Sequence, residues 1–166
     1  DGAVAMSQLH PGAVYLHQGE TYLVRQLDTR TRTAWVEPCE VDYYTQAREL
    51  TDIRVTKTEL EKRCGRTLVH LGDVQVTNHV IAFKKRRQFT EEYLGETPLD
   101  LPESTFSTRA FWFDVPAEAV DRATSEGGDL SGSLHACEHA CIGVLPLFAL
   151  CDRNDIGGVS MPDGGT

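Results

Sequence analysis

The fold of this chain is decided by the stretch Ala13-Val14-Tyr15-Leu16-His17-Gln18-Gly19-Glu20-Thr21-Tyr22-Leu23-Val24-Arg25-Gln26-Leu27. Its second half is rich in β-branched and aromatic residues, and Gly19-Glu20 has the composition of a turn between two strands. A polar loop over 28–32 precedes 33–37, which predicts a third strand that pairs back. Closely spaced strands with short turns are typical of a small antiparallel barrel or a curled sheet.

The chain continues as β up to about residue 115. The apolar patterning predicts further strands at 53–58, 66–77, 80–83 and 110–113. Gly72-Asp73 predicts a bulge or bend within the second of them. The stretch 88–105 is rich in Glu, Pro and Thr and predicts a loop.

The remainder of the chain predicts helices. Pro116 suits a first helical position, and Gly127-Gly128 predicts the end of a helix over 117–126. A second helix is expected over 130–151, with a kink or break at Pro146, which lacks a backbone N–H. Its apolar residues recur at three- and four-residue steps and predict a stripe that faces a core: Leu134, Cys137, Cys141, Val144, Leu145, Phe148 and Cys151. We therefore predict an α+β fold, with an antiparallel β module over 1–115 and a helical segment over 116–166.

Composition narrows the function. The 166 residues carry a net charge of -9, so any contact with nucleic acid has to be local. No apolar run reaches the roughly 18 residues that a membrane span requires. The five cysteines include no Cys-x-x-Cys pair, which favours reduced thiols in the core of a cytoplasmic protein over a disulfide framework. The chain opens on Asp1, which suggests a piece of a longer protein.

Two motifs carry possible chemistry. His135-x-x-Glu138-His139 has the spacing of an inverted zinc-peptidase signature, with both imidazoles and the carboxylate on one helical face. The alternative is that the histidines pack or form hydrogen bonds at a helix interface, and the sequence favours it because nothing identifies a third protein ligand. Lys84, Lys85, Arg86 and Arg87 form the one dense positive cluster and could hold phosphates. They could also be a solvated strand end. No nucleotide-binding loop is found.

Four segments resemble parts of the MrfA-like superfamily 2 DNA helicases of the DEAD/DEAH-box type. They occur in the same order and are 12–22, 41–45, 110–113 and 134–158, the last ending in Cys-Asp-Arg-Asn-Asp-Ile-Gly-Gly. This resemblance implies an ATP-dependent 3'-5' DNA helicase linked to DNA repair, with 134–158 opening the family's C-terminal zinc-binding domain. The family's motor motifs would lie upstream, and its four zinc-binding cysteines downstream of Thr166. Zinc and ATP with Mg²⁺ are thus expected for the parent protein outside this chain.

The sequence therefore predicts a non-catalytic C-terminal accessory fragment of a bacterial, cytoplasmic DNA repair helicase, which supports the motor and guides DNA. Its expected partners are the motor domains of the same polypeptide and, through the parent, DNA. No membrane partner is expected, no cofactor is expected in the fragment, and the fragment should be monomeric. Two alternatives stay open. One is a small zinc-dependent hydrolase with His135 and His139 as ligands and Glu138 as base or ligand, and the other is a protein-interaction module.

Overall fold

The computed structural model describes residues 2–125 and 127–162. Its residues fall into two compact units. The first unit comprises Asp1–Thr56 and Val74–Thr108, and the second comprises Lys57–Asp73 and Arg109–Thr166. The fold belongs to the α+β class, as predicted, and its two sheets are open rather than closed into a barrel.

The first sheet is the predicted three-stranded meander. It contains β1 (Val14–His17), β2 (Glu20–Asp28) and β3 (Thr33–Pro38), antiparallel and in that order. The turn between β1 and β2 is Gln18-Gly19, one residue earlier than predicted, with φ values of 51° and 86°. A two-residue turn with positive φ at both positions has a backbone twist that matches the twist of the two strands it joins.

The second sheet has longer strands than the sequence indicated. It contains β4 (Tyr43–Cys64), β5 (Thr67–Arg87), β6 (Tyr93–Pro98) and β7 (Ser104–Phe113). The strand order is β4-β5-β6, and β7 also pairs with β5. Most of β4 is exposed, so its side chains lack the apolar alternation by which a strand is recognised. Backbone pairing with β5 makes it a strand all the same.

Two predictions in this region are therefore wrong. The strands expected at 66–77 and 80–83 are one continuous strand, and the loop expected over 88–105 contains β6 and the first residues of β7. Gly72 lies inside β5, where a Cβ would overlap the carbonyl oxygen of Lys57. This glycine marks the close approach of two backbones.

The fully buried hydrophobic side chains that the structure describes all lie in the first unit. They are Met6, Ala13, Val24, Val74, Val76, Val80, Ala82 and Phe83. Met6 comes from α1 (Gly2–Gln8), a short helix that the sequence did not predict. Gly12, at φ 84°, lies so close to the Phe83 ring that a Cβ would be 2.9 Å from it. A larger residue there would meet both backbone strain and a steric clash.

The helices of the second unit begin with α2 (Ala117–Ser125), as predicted; Glu126, the expected last residue, lies outside the described residues. The next helix, α3, runs over Leu130–Val144, and a 3-10 turn follows at Leu145–Leu147. The break predicted at Pro146 is confirmed, but the expectation that helix continues to 151 is wrong, because the helical segment ends at Leu147. A second 3-10 turn occupies Arg153–Asp155 and is closed by a capping box. No helix of the described part is long and apolar enough to cross a membrane.

The predicted core-facing stripe on α3 is wrong. No residue of this helix is fully buried, and Cys137 is exposed. Beyond the helix, Phe148 is 84% exposed. The spacing showed correctly that one side of the segment is apolar, but periodicity does not show that another element covers that side. Among the described residues, none covers it completely.

Candidate functional site

The predicted phosphate-binding cluster lies at the end of β5. Because side chains alternate along a strand, Lys85 and Arg87 share a face with buried Phe83, whereas Lys84 and Arg86 point to the opposite face. Four consecutive cations in the sequence are thus two pairs in space. The neighbouring strand β6 brings Glu96 opposite Lys84.

Arg87 is held by two carboxylates. Its Nε donates to Glu92 at 2.9 Å and its Nη1 donates to Asp42, while the Gln88 backbone N–H donates to the Asp42 carbonyl at 2.8 Å. The hydrogen bond to Glu92, and then the charge of Asp42, raise the pKa of Arg87. The side chain therefore ties the start of β4 to the end of β5, and its charge is largely neutralised locally.

The other three cations of the cluster differ in the contacts that they make. Arg86 donates to the carbonyl oxygen of Glu91 at 3.1 Å. Lys85 places its ammonium 5.4 Å from the centre of the Tyr43 ring and 5.8 Å from that of Phe83, within the range of a cation–π contact. In the part of the chain that the structure describes, neither lysine has a carboxylate within 4.0 Å.

Sequence reasoning missed the acidic partners of this cluster. Asp42 and Glu92 pair with Arg87, whereas Glu96 lies opposite Lys84 but pairs with Arg48. Glu91 lies close by, between β5 and β6. Glu91 also accepts a hydrogen bond from the Tyr44 hydroxyl, which raises the pKa of that tyrosine. The signal was present, since three glutamates follow the cations within ten residues, but it required β6 to be recognised as a returning strand. The two lysines are the part of the cluster best able to contact phosphate.

The structure also brings the three residues of the His-x-x-Glu-His motif together on α3. The Nε2 atoms of His135 and His139 are 3.2 Å apart, with the ring planes at 83° to each other. The Glu138 carboxylate is 3.5 Å from Nδ1 of His135. Both histidines are exposed rather than packed at a helix interface, and Glu138 is the least exposed of the three.

This cluster offers three potential metal ligands, two imidazoles and a carboxylate. Its ligand atoms lie within 4.8 Å of one another, and among residues 2–125 and 127–162 no further His, Cys, Asp or Glu joins the group. A catalytic zinc usually has three protein ligands and an open position for water. The arrangement can hold a divalent ion. With Glu138 as a ligand it supplies three protein ligands, and with Glu138 as the base it supplies two.

Known proteins match nearly the whole length of the chain. No family model matches it. The chain is 35% identical over 158 residues to the ATP-dependent helicase YprA of Bacillus subtilis, covering 94% of this chain and 20% of YprA. It is 29% identical to the ATP-dependent helicase hrq1 of Schizosaccharomyces pombe, over 89% of this chain and 14% of that protein. The chain thus spans a fifth or less of these two relatives.

Solved structures agree with the sequence comparison. The crystal structure of the DUF1998 helicase MrfA bound to DNA matches with a TM-score of 0.67 and 31% identity, covering 99% of this chain and 22% of that one. The MrfA complex with DNA and AMPPNP matches with a TM-score of 0.57 and 27% identity. Nearly all of this fold is thus present in these helicases, as the sequence resemblance predicted. The chain is therefore similar, over nearly its whole length, to one segment of these ATP-dependent helicases, which agrees with the resemblance seen in its sequence.

Proposed function

We propose that this chain is a non-catalytic accessory segment of an ATP-dependent DNA helicase that acts in DNA repair, and that it supports the motor and guides DNA. One observation carries the proposal: 99% of the chain matches part of a helicase whose crystal structure was determined bound to DNA. We also propose that the motor domains belong to the same polypeptide, that the fragment is monomeric, and that the parent is a cytoplasmic bacterial protein. The higher identity to the bacterial relative than to the fungal one supports the bacterial origin.

The DNA contact in this proposal is the end of β5. Lys84 and Lys85 have no carboxylate partner in the described part of the chain, whereas Arg87 bridges Asp42 and Glu92. A free ammonium binds a phosphate and releases counterions without first breaking an ion pair. Arg86 and Arg87 contribute less to affinity, and Arg87 chiefly fixes the local structure. The proposed contact therefore consists chiefly of two of the four cations in the cluster.

The test is a DNA titration of the 166-residue chain and of a Lys84→Ala/Lys85→Ala variant, read by anisotropy of a labelled duplex at several salt concentrations. We expect the variant to bind at least about tenfold more weakly at low salt, with a salt slope that is shallower by roughly 0.9 for each phosphate that the variant no longer neutralises. The matched control is Lys62→Ala/Arg63→Ala, which removes the same charge from the exposed end of β4. It should lose much less affinity.

Two results would count against the proposal. Equal losses of affinity in the two double variants would mean that only net charge matters and that the end of β5 is no site. Release of phosphate from Mg-ATP by the purified chain, abolished by a substitution within it, would show that the segment is itself catalytic.

A further inference from the structure

We propose that His135 and His139 form a binding site for a single divalent transition-metal ion of the Zn²⁺ class, through their Nε2 atoms, with Glu138 as the carboxylate that positions His135. The site is independent of the helicase function proposed above. It is also separate from the four-cysteine zinc site that the family resemblance places outside this chain.

The distance between the two imidazoles fits a shared ion. Zinc binds histidine nitrogen at about 2.0–2.1 Å, so two ligands at adjacent corners of a tetrahedron are separated by roughly 3.3 Å. The two Nε2 atoms are 3.2 Å apart. The helical i, i+4 spacing of α3 places the two side chains on one face.

The environment admits a metal ion. The His135 side chain is 63% exposed, so an ion can enter and water can complete its coordination shell. Without metal, one Nε2 has to donate its proton to the other; with metal, both present a lone pair to the ion. Two protein ligands bind more weakly than the four of a structural zinc site. The expected site is therefore one of modest affinity, with the order Zn²⁺ below Cu²⁺ that nitrogen ligands follow.

Glu138 is placed as a positioning group. Its carboxylate faces Nδ1 of His135, the nitrogen opposite to the one that would bind the ion. A carboxylate at this position fixes the tautomer that leaves Nε2 free to bind metal. The side chain is only 14% exposed, because the chain returns over it at Gly158, where a Cβ would be 2.9 Å from the Glu138 Cγ. Glu138 is therefore held in place.

The experiment has to separate this site from nearby thiols. Cys137 and Cys141 also lie one turn apart on α3 and could compete for the ion. We would therefore titrate ZnCl2 calorimetrically into the 166-residue chain carrying Cys137→Ser/Cys141→Ser. We expect one equivalent of zinc to bind. His139→Ala in this background should weaken binding at least about tenfold, and Glu138→Gln about tenfold, as the removal of carboxylates that position metal-bound histidines typically does.

His17→Ala is the matched control, since it removes an exposed imidazole from β1 and should leave zinc binding unchanged. Alanine is the best helix former, so His139→Ala should keep α3 intact, which circular dichroism would verify. CoCl2 provides a second readout: the cobalt complex of the serine background should show ligand-field bands without a thiolate charge-transfer band. Loss of all binding on replacing the two cysteines, or equal binding by His139→Ala and its background, would overturn the proposal.

Discussion

His10 is a single side chain that makes the stability of the first unit's core depend on pH. It is the one fully buried polar side chain among the described residues, at 1% exposure. Its ring is tilted by 31° against that of Phe83 with centroids 4.6 Å apart, and its Nδ1 lies 3.2 Å from the Pro11 carbonyl. That contact is a hydrogen bond when Nδ1 carries the proton. Burial lowers the pKa of His10, and the bond to Pro11 offsets this only in part.

This environment predicts an acid-sensitive core. In the unfolded chain a histidine takes up a proton near pH 6.5, whereas native His10 stays neutral to lower pH. The unfolded state then binds more protons, so the free energy of unfolding should fall as the pH drops below about 7. Replacing His10 by Gln should make that fall shallower, whatever it does to stability at pH 7. Urea unfolding at pH 7, 6 and 5 measures the slopes.

The control for this prediction is His17→Gln, which removes an exposed histidine from the same unit and should retain the wild-type slope. If His10→Gln lost stability with acid as steeply as the wild type, another group would have to be the source of the sensitivity.

Among the elements, helix α3 leads to the prediction that its thiols react at different rates. The sequence predicted that Cys137, Cys141 and Cys151 all face a core, but Cys137 is exposed. Burial, and then the neighbouring Cys137, raise the pKa of Cys141. Since the thiolate is the reactive form, Cys137 should label several-fold faster than Cys141 in the native chain. Peptide mass spectrometry after brief alkylation at neutral pH measures the ratio, and unfolded chain should show the two rates converging. Faster labelling of Cys141 would contradict the burial that the structure gives it.

Some elements of the fold could be predicted from the sequence and others could not. The meander β1-β2-β3 was predictable because its strands are short, its apolar residues are dense and Gly19 marks the turn. Helix α3 and its break at Pro146 followed from periodicity and from the chemistry of proline. Strand β4 was not predictable at its true length, because its exposed polar residues carry no alternating apolar signal.

The two candidate sites also differ in how well they could be predicted from the sequence. Helical spacing alone brought His135 and His139 together, so local periodicity was sufficient there. The cluster at the end of β5 depended on strand pairing over tens of residues. The positive charges were evident in the sequence, but their neutralisation by Asp42 and Glu92 was not.

At the scale of the whole molecule, net charge sets a limit on what the chain can do alone. The 25 acidic residues outnumber the 16 lysines and arginines, giving -9, so its overall field repels the phosphates of DNA. Only a local contact can overcome this repulsion, and the cluster at the end of β5 offers two cations without carboxylate partners in the described residues, Lys84 and Lys85. We therefore expect this chain alone to bind DNA only weakly.

This balance predicts weak binding by the isolated chain, in the non-specific range of roughly 10⁻⁴ to 10⁻⁶ M or weaker at physiological salt. Because each neutralised phosphate adds about 0.9 to the slope of log affinity against log salt concentration, two lysines should give a slope no steeper than about -2. Anisotropy titrations of labelled duplex and single-stranded DNA from low to physiological salt measure both quantities. A nanomolar dissociation constant, or a slope near about -5, would require a far larger basic surface than the end of β5. In that case the acidic residues would have to lie on a side of the chain that faces away from the DNA, and the interface would extend beyond Lys84 and Lys85.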